Sequence, residues 1–303
     1  MKITDIVSLH CDAGWRNFSF LKISTSEGIT GYSEYNESYG SAGVSYVIEK
    51  LKEHIIGSSA LSHETLFSRL YAMTRQAPGG INAQALAAIE NALLDIKGKA
   101  LDLPCYELLG GKMRDQLPLY WSHCGTYRVN KTTAQLLKKP ILSGLEGLTE
   151  LGAEVRESGF QALKCNMYRF DGVAHVHSPG FARRSNTPGA PELNADKSLL
   201  KDLEKQIAAL REGAGNDVGI LLDMNFNFKP EGYLRVIKAL ADFNLFWYEL
   251  DIFNPDALAF IRRQGRETIA SCESLYGHRE FRRYFEAQSM DVAIIDIPWN
   301  GAW

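Results

Sequence analysis

The chain has 303 residues, 45% hydrophobic and 23% charged, an ordinary globular composition long enough for one large domain or two moderate ones. A formal net charge of −3 gives no electrostatic footprint for nucleic acid or an anionic membrane, so neither is expected as a partner. No apolar run approaches the roughly 20 residues of a membrane span, and the start, MKITDIVSLHCDAGW, lacks the basic opening and long apolar stretch of a secretory signal.

Five scattered cysteines (Cys11, Cys105, Cys124, Cys165, Cys272) are odd in number and lack CxxC spacing. They read as reduced thiols of a cytoplasmic protein, and the Asn-x-Ser/Thr triplets at Asn17, Asn36 and Asn130 then read as chance matches. The opening residues alternate as a meander: KITDIVSLH, then SFLKIST, then ITGYSEY after the turn Glu27-Gly28. Helical spacing follows in Val44, Val47, Ile48, Leu51, Ile55 and Ile56, and again in Leu66, Leu70 and Met73. Asn82 is placed to cap a third helix with Leu86, Ile89, Leu93 and Ile96 on one face. These elements predict an α+β domain over residues 1–115.

From Leu117 the rhythm becomes strand, helix, strand, defining a second domain over 116–303. Strands are predicted at 117–124, 161–167, 219–225, 245–250, 267–274 and 291–298, with amphipathic stretches between them. Repeated βα units with apolar strands mark a buried parallel sheet, which either a doubly wound sheet or a barrel satisfies. No GxGxxG follows any strand, so nucleotide binding has no support. Residues 168–195 lack a helical period and carry His175, His177 and Arg183-Arg184, the pattern of either a functional loop or a surface excursion.

The run GILLDMN (219–225) drives apolar residues into Asp223, a carboxylate whose burial demands a positive partner. Asp223, Glu249 and Glu273 close the third, fourth and fifth predicted strands, spaced 26 and 24 residues apart, one βα unit each. In a parallel barrel those ends share one face, where active sites are built. Converging carboxylates disfavour one another's ionisation, and a hard divalent cation resolves the conflict. Oxygen-only donors predict Mg²⁺ rather than Zn²⁺. The plainer alternative is three independent acids, each capping a helix or pairing with a base.

Lys164 and Asn166 in LKCNM lie two apart on one strand face, with Cys165 turned to the other as a packed thiol. A lysine there neutralises a substrate carboxylate, or acts as a base if its pKa is lowered, or simply pairs with an acid. Asp296, on the sixth strand, either orients a histidine on a following strand or caps the next turn.

Residues 85–121, ALAAIENALLDIKGKALDLPCYELLGGKMRDQLPLYW, together with GFQALKCN and the Asp, Glu, Glu series, resemble the mandelate racemase/muconate lactonizing enzyme group of the enolase superfamily. The resemblance covers essentially the whole chain. It implies a modified (β/α)₇β barrel with an N-terminal α+β capping domain, and Mg²⁺ held by Asp223, Glu249 and Glu273. The implied chemistry is removal of the proton α to a carboxylate, giving an enediolate stabilised by the metal. Homo-oligomers are usual for the group, and one is expected here.

Racemases of the group carry Lys-x-Lys on the second strand; this chain has Lys164-Cys165-Asn166, and an amide is no base. Lys-x-Asn is similar to the galactonate dehydratase type, in which a histidine on the seventh strand, oriented by an acid matching Asp296, takes the proton. That type also places a histidine acid where Asn225 stands, so Asn225 is read with the substrate contacts. HCDAGWRNF (10–18) and YNESYGSAG (35–43) fall where the group's specificity loops lie, making Asp12, Trp15, Arg16 and Tyr39 candidate substrate contacts, with cap core as the alternative for the aromatics.

The expected function is Mg²⁺-dependent dehydration of an acid sugar, an aldonate or aldarate, to a 2-keto-3-deoxy acid. The alternatives are a racemase, epimerase or cycloisomerase of the group, or a catalytically inactive barrel serving as a binding or assembly subunit. The sequence ends at PWNGAW after the sixth predicted strand, so the barrel is expected to be cut there and the general base to lie beyond Trp303 in a longer parent. A histidine of the 168–195 loop, His175 or His177, swinging over the strand ends is the other source of a base.

Overall fold

The computed structural model describes residues 1–38, 40–171, 174–181 and 189–301. The chain divides into two compact units. One comprises Met1–Asp115, Glu273–Arg282 and Ile295–Trp303; the other comprises Gln116–Cys272 and Arg283–Ile294.

In the first unit, period-2 alternation produces β1 (Ile3–Asp12), β2 (Asn17–Thr25) and β3 (Thr30–Tyr35), an antiparallel sheet in chain order. Ile3, Ile6, Leu21 and Ile23 point to one buried face. Helices α1 (Val44–Ile55), α2 (His63–Thr74) and α3 (Gly80–Leu101) cover it, and Ile48, Leu51, Leu66, Leu70, Ile89 and Leu93 join that core. Asn82 does not cap α3. The helix starts two residues earlier, at Gly80, and the Asn82 amide donates to the Ala77 carbonyl at 2.8 Å. A one-turn helix, α4 (Cys105–Leu108), follows.

The second unit runs β4 (Tyr120–Trp121), a 3₁₀ turn (Thr126–Arg128), α5 (Lys131–Leu136), α6 (Leu145–Glu157) and β5 (Ala162–Asn166). Next come the short strands β6 (Tyr168–Arg169) and β7 (His175–Val176), α7 (Lys197–Ala214), β8 (Gly219–Asp223), α8 (Pro230–Ala239) and β9 (Trp247–Glu249). The series ends with α9 (Pro255–Gln264), β10 (Ile269–Ser271), α10 (Gly277–Glu286), which starts in the first unit, β11 (Val292–Ala293) and α11 (Ile297–Asn300), which belongs to the first unit. Among the described residues β4, β5, β8, β9, β10 and β11 form one parallel sheet in that spatial order. Strand order therefore follows chain order without the reversal that defines a doubly wound sheet, and the sheet is a curled part-barrel.

Paired segments are shorter than the predicted strands. The sixth is paired only over Val292–Ala293, with Ile294 N still donating to the Ser271 carbonyl at 2.8 Å; beyond it the Asp296 carboxylate accepts from Trp299 N at 3.2 Å, capping α11, in which Pro298 sits in the first turn. The long 168–195 segment is partly structured, since β6 and β7 pair antiparallel, Tyr168 with Val176 and Arg169 with His175.

The two faces of the sheet differ. Leu163, Cys165, Ile220, Leu222, Tyr248 and Ile269 occupy alternate positions on one face, all buried. On the other face Ala162, Leu221, Trp247 and Ala270 form an apolar cluster joined by Tyr120 and Val292. Behind the sheet, α6 and α7 meet backbone to backbone: a Cβ on Gly213 would lie 1.8 Å from the Thr149 carbonyl oxygen, and one on Gly152 would lie 2.5 Å from that of Leu210. These helices flank β5 in the chain, so their docking sets where β5 stands. Gly213→Ala is expected to destabilise the fold by about 2 kcal/mol or more, the scale of overpacking. A thermal midpoint equal to that of the parent protein would contradict this close packing.

Candidate active site

Moving up the inner face of the sheet, apolar residues give way to polar ones at the C-terminal strand ends. Asn166 pairs in register with Asp223, and Asp223 with Glu249, so three adjacent strands present one polar row. Lys164 lies one step lower, level with Leu221 and Trp247. Its long side chain rises across β8, and Nζ stands 2.8 Å from Glu249 Oε1 and 3.7 Å from Asp223 Oδ2. Lys164 is 5% exposed, Asp223 3% and Glu249 2%. The positive partner demanded by the GILLD carboxylate is thus Lys164.

Two buried carboxylates share one ammonium, which leaves a surplus negative charge. Burial, and then the neighbouring Asp223 charge, push the Glu249 carboxyl above its ordinary range, against the pull of Lys164 and of Trp247, whose Nε1 donates to Oε2 at 3.3 Å. Burial also works against the charge on Lys164, but Glu249 and Asp223 outweigh it and hold the ammonium above its usual value. Lys164 is therefore a charged donor in this arrangement rather than a free base. The Tyr120 ring lies beneath, 5.8 Å from Nζ.

Oxygen-only donors, side by side and under-neutralised, fit a hard divalent cation. Asp223 and Glu249 are the two carboxylates of this unit that would hold it. Glu273 stands two residues past the end of β10 and is counted with the first unit, so its place in the set comes from its sequence spacing. Among the described residues, a compact set of three ligand atoms within 4.8 Å of one another occurs elsewhere, at His63, Glu64 and Glu90 of the first unit.

Asn166 and Asn225 extend the row. Asn225 has φ 45°, and both its backbone N and its Nδ2 donate to Asp223 Oδ1, at 3.0 and 2.7 Å. The Asn225 carbonyl accepts from Tyr233 OH at 2.5 Å and from Asp251 N at 3.2 Å. Thr126, Gln206 and Trp247 belong to the site and were not singled out in the sequence. Gln206 is fully buried on α7; its Nε2 donates to the Asn166 carbonyl at 2.7 Å and its Oε1 accepts from Tyr168 N at 2.9 Å. Its signal was available, because Gln206 interrupts the apolar helical spacing of Leu199, Leu203, Ile207 and Leu210. Cys165 is a packed thiol whose pKa burial pushes up to about 12.

The histidines of the long segment are tied down. His177 Nε2 pairs with Glu192 Oε2 at 3.2 Å, and its ring stacks on Phe228 at 6.0 Å. Burial lowers its pKa and Glu192 opposes that shift. Asn227 pins this stretch: its Oδ1 accepts from Gly180 N at 3.0 Å and its Nδ2 donates to the His177 carbonyl at 3.3 Å. His175 is exposed, 3.7 Å from Asp171. Arg183 and Arg184 lie outside the described residues, as does Tyr39.

The remaining candidates belong to the first unit. Asp12 is exposed and accepts from Gly14 N at 2.7 Å within the β1–β2 turn. Beside it the Arg16 guanidinium lies over Phe18 at 4.8 Å and Trp15 at 5.5 Å, so the turn residues stack on one another. Asp296 caps α11, the second of the two roles its sequence position allowed.

Residues 148–302 match the enolase C-terminal domain-like family, and residues 10–110 match the mandelate racemase / muconate lactonizing enzyme N-terminal domain. The D-galactonate dehydratase family member ManD of Chromohalobacter salexigens is 30% identical over 99% of this chain and 72% of its own length. The D-xylonate dehydratase of Haloferax volcanii is 25% identical over 99% of this chain and 66% of its own length. Among solved structures, a Burkholderia xenovorans protein carrying an assignment as an L-alanine-DL-glutamate epimerase is 48% identical, with a TM-score of 0.93 over 99% of this chain and 75% of that one. Another structure under the same assignment and from the same organism is bound to magnesium and fumarate. Among the described residues no helix is long and apolar enough to cross a membrane.

Proposed function

The chain belongs to the mandelate racemase/muconate lactonizing enzyme group of the enolase superfamily, and we propose that it serves Mg²⁺-dependent dehydration of an acid sugar. The substrate class is an aldonate or aldarate and the product a 2-keto-3-deoxy acid. The chain spans 66% to 75% of the length of the relatives above, so this activity is proposed for the whole protein to which these residues contribute.

The observation that carries the reading is the amide of Asn166, two residues from Lys164 and fixed in hydrogen bonds to Thr126 and Asn225. Epimerisation needs a base on each face of the α-carbon. Here one face carries an ammonium held charged by two carboxylates and an amide that accepts no proton. One-sided proton removal followed by loss of a β-hydroxyl suits that arrangement.

Asp223, Glu249 and, by sequence position, Glu273 would hold the metal. A bound divalent cation supplies localised positive charge where the carboxylate oxygens become more negative as the α-proton leaves. Lys164 then has two roles. It neutralises Asp223 and Glu249 in the empty protein and donates to the substrate carboxylate in the complex. The Tyr120 ring beside the ammonium, with Trp247 packed edge-on against that ring, keeps water from the Lys164 stem and strengthens those charge interactions.

A second reading, epimerisation, is favoured by the 48% identity to the Burkholderia xenovorans protein. Turnover with Mg²⁺ in D₂O across a panel of aldonates, aldarates and dipeptides separates the two. Dehydration predicts 2-keto acid formation and recovered substrate without inversion at the α-carbon. Racemised substrate with α-deuterium from both faces would establish the epimerase reading instead. Mg²⁺ binding without any turnover would favour a binding subunit.

A further inference from the structure

We propose that Thr126 is a positioning residue that fixes which end of the Asn166 side-chain amide meets the substrate; this rests on the reading of the site just given. Four side chains, Thr126, Asn166, Asn225 and Asp223, form a hydrogen-bonded row whose direction is set at the carboxylate end. An ionised carboxylate only accepts hydrogen bonds. Asn225 meets Asp223 Oδ1 at 2.7 Å, so the nitrogen end of its amide faces the acid and its oxygen faces away. That oxygen lies 3.3 Å from the Asn166 amide, which must therefore present Nδ2. Asn166 Oδ1 is then left at the far end, 2.6 Å from Thr126 Oγ1, and the Thr126 hydroxyl donates to it.

The neighbour that would compete for the threonine proton is Tyr168, with its hydroxyl 3.2 Å from Oγ1. Tyr168 gives its own proton to the Cys124 carbonyl at 2.7 Å and toward Thr126 only accepts, so the shorter 2.6 Å contact assigns the threonine proton to Asn166 Oδ1. The order Thr126 to Asn166 to Asn225 to Asp223 is thus self-consistent, and its reverse would place a donorless oxygen against a carboxylate. Gln206 fixes the backbone beneath by donating to the Asn166 carbonyl.

The chemical consequence lies in the second N–H on Nδ2. One N–H goes to Asn225; the other is the donor available to an anionic oxygen of a hydroxy acid. Without the threonine hydroxyl, Asn166 Oδ1 loses its 2.6 Å donor and the 3.3 Å bond to Asn225 alone holds the amide, so rotation by half a turn, which would set the oxygen against that anion, becomes accessible. Sequence spacing gives no hint of this, since Thr126 lies in a 3₁₀ turn after β4, 40 residues from its partner.

The test uses the full chain, labelled with ¹⁵N-asparagine, with the Asn166 side-chain amide assigned by its loss in Asn166→Asp. Thr126→Val, which removes the hydroxyl at nearly constant volume, is expected to shift and double the Asn166 amide signals and speed their solvent exchange at least tenfold. Thr126→Ser should leave them as in the parent. In calorimetry with D-gluconate as probe and Mg²⁺ present, Thr126→Val should bind at least tenfold more weakly and Thr126→Ser within threefold of the parent. Should Thr126→Val fail to fold, Thr126→Ala replaces it in both measurements. Unchanged Asn166 amide signals in a folded variant lacking the hydroxyl would overturn the inference. Failure of the parent protein to bind D-gluconate or any other aldonate would count against the dehydratase reading instead, and the amide signals would still decide the role of Thr126.

Discussion

Lys164→Met, prepared without divalent metal, should unfold at markedly lower denaturant than the parent, by about 3–5 kcal/mol, the usual result of removing one partner from a buried ion pair. The physical reason is the surplus charge. Lys164 is the ammonium between Asp223 and Glu249, and each carboxylate is almost fully buried. The variant can relieve the crowding by keeping a proton on Glu249, whose folded-state pKa already lies above its ordinary value of 4.5. A carboxyl with a raised folded pKa binds more protons folded than unfolded, so its folded state gains stability as pH falls. The deficit should therefore be largest near pH 8 and shrink toward about pH 5. Millimolar Mg²⁺ should restore much of the loss at the upper end, because it replaces the missing positive charge. A deficit independent of both pH and Mg²⁺ would mean that Lys164 acts through packing alone.

Asp223→Asn and Glu249→Gln should have the opposite signature. Each removes a charge that the metal needs and relieves the crowding that Lys164 partly neutralises. Mg²⁺ affinity is expected to fall at least a hundredfold, about 2.7 kcal/mol, while the metal-free protein unfolds no earlier than the parent. Titration calorimetry and denaturant unfolding on the same samples give both numbers. Glu273→Gln should weaken Mg²⁺ to a similar degree if its spacing of 24 residues from Glu249 marks a third ligand. Retained affinity in any two of the three variants would remove the strand-end acids as the metal site.

The features legible in the sequence were those written locally. GILLD and LKCN betray their places because alternation along a strand assigns each residue to a face, and because a carboxylate at the end of an aliphatic run stands out. That put Lys164, Asn166, Asp223 and Glu249 at the strand ends, where Lys164 now bridges the two acids. What stayed hidden depends on contacts distant in sequence. Thr126 reaches Asn166 only because β4 lies beside β5, and nothing in the residues around Thr126 signals that pairing. Gln206 was readable as a polar residue on an apolar helical face, but its partners, the Asn166 carbonyl and the Tyr168 N–H, were not. Asp296 had two local readings, a catalytic orienter and a cap. Alternation could not choose between them, and Pro298 two residues later favours the cap it makes. His177 read as a mobile candidate base until its bonds to Glu192 and the Asn227 clasp fixed it in place.

Everything proposed for the site depends on a divalent cation sitting on the acids at the strand ends. Crystals of the protein grown with Mn²⁺ in place of Mg²⁺, examined by anomalous diffraction, test it most directly. A manganese peak is expected roughly 2.0–2.3 Å from carboxylate oxygens of both Asp223 and Glu249, with the Lys164 ammonium displaced from between them. A peak absent from the strand ends, or found only among His63, Glu64 and Glu90, would contradict it.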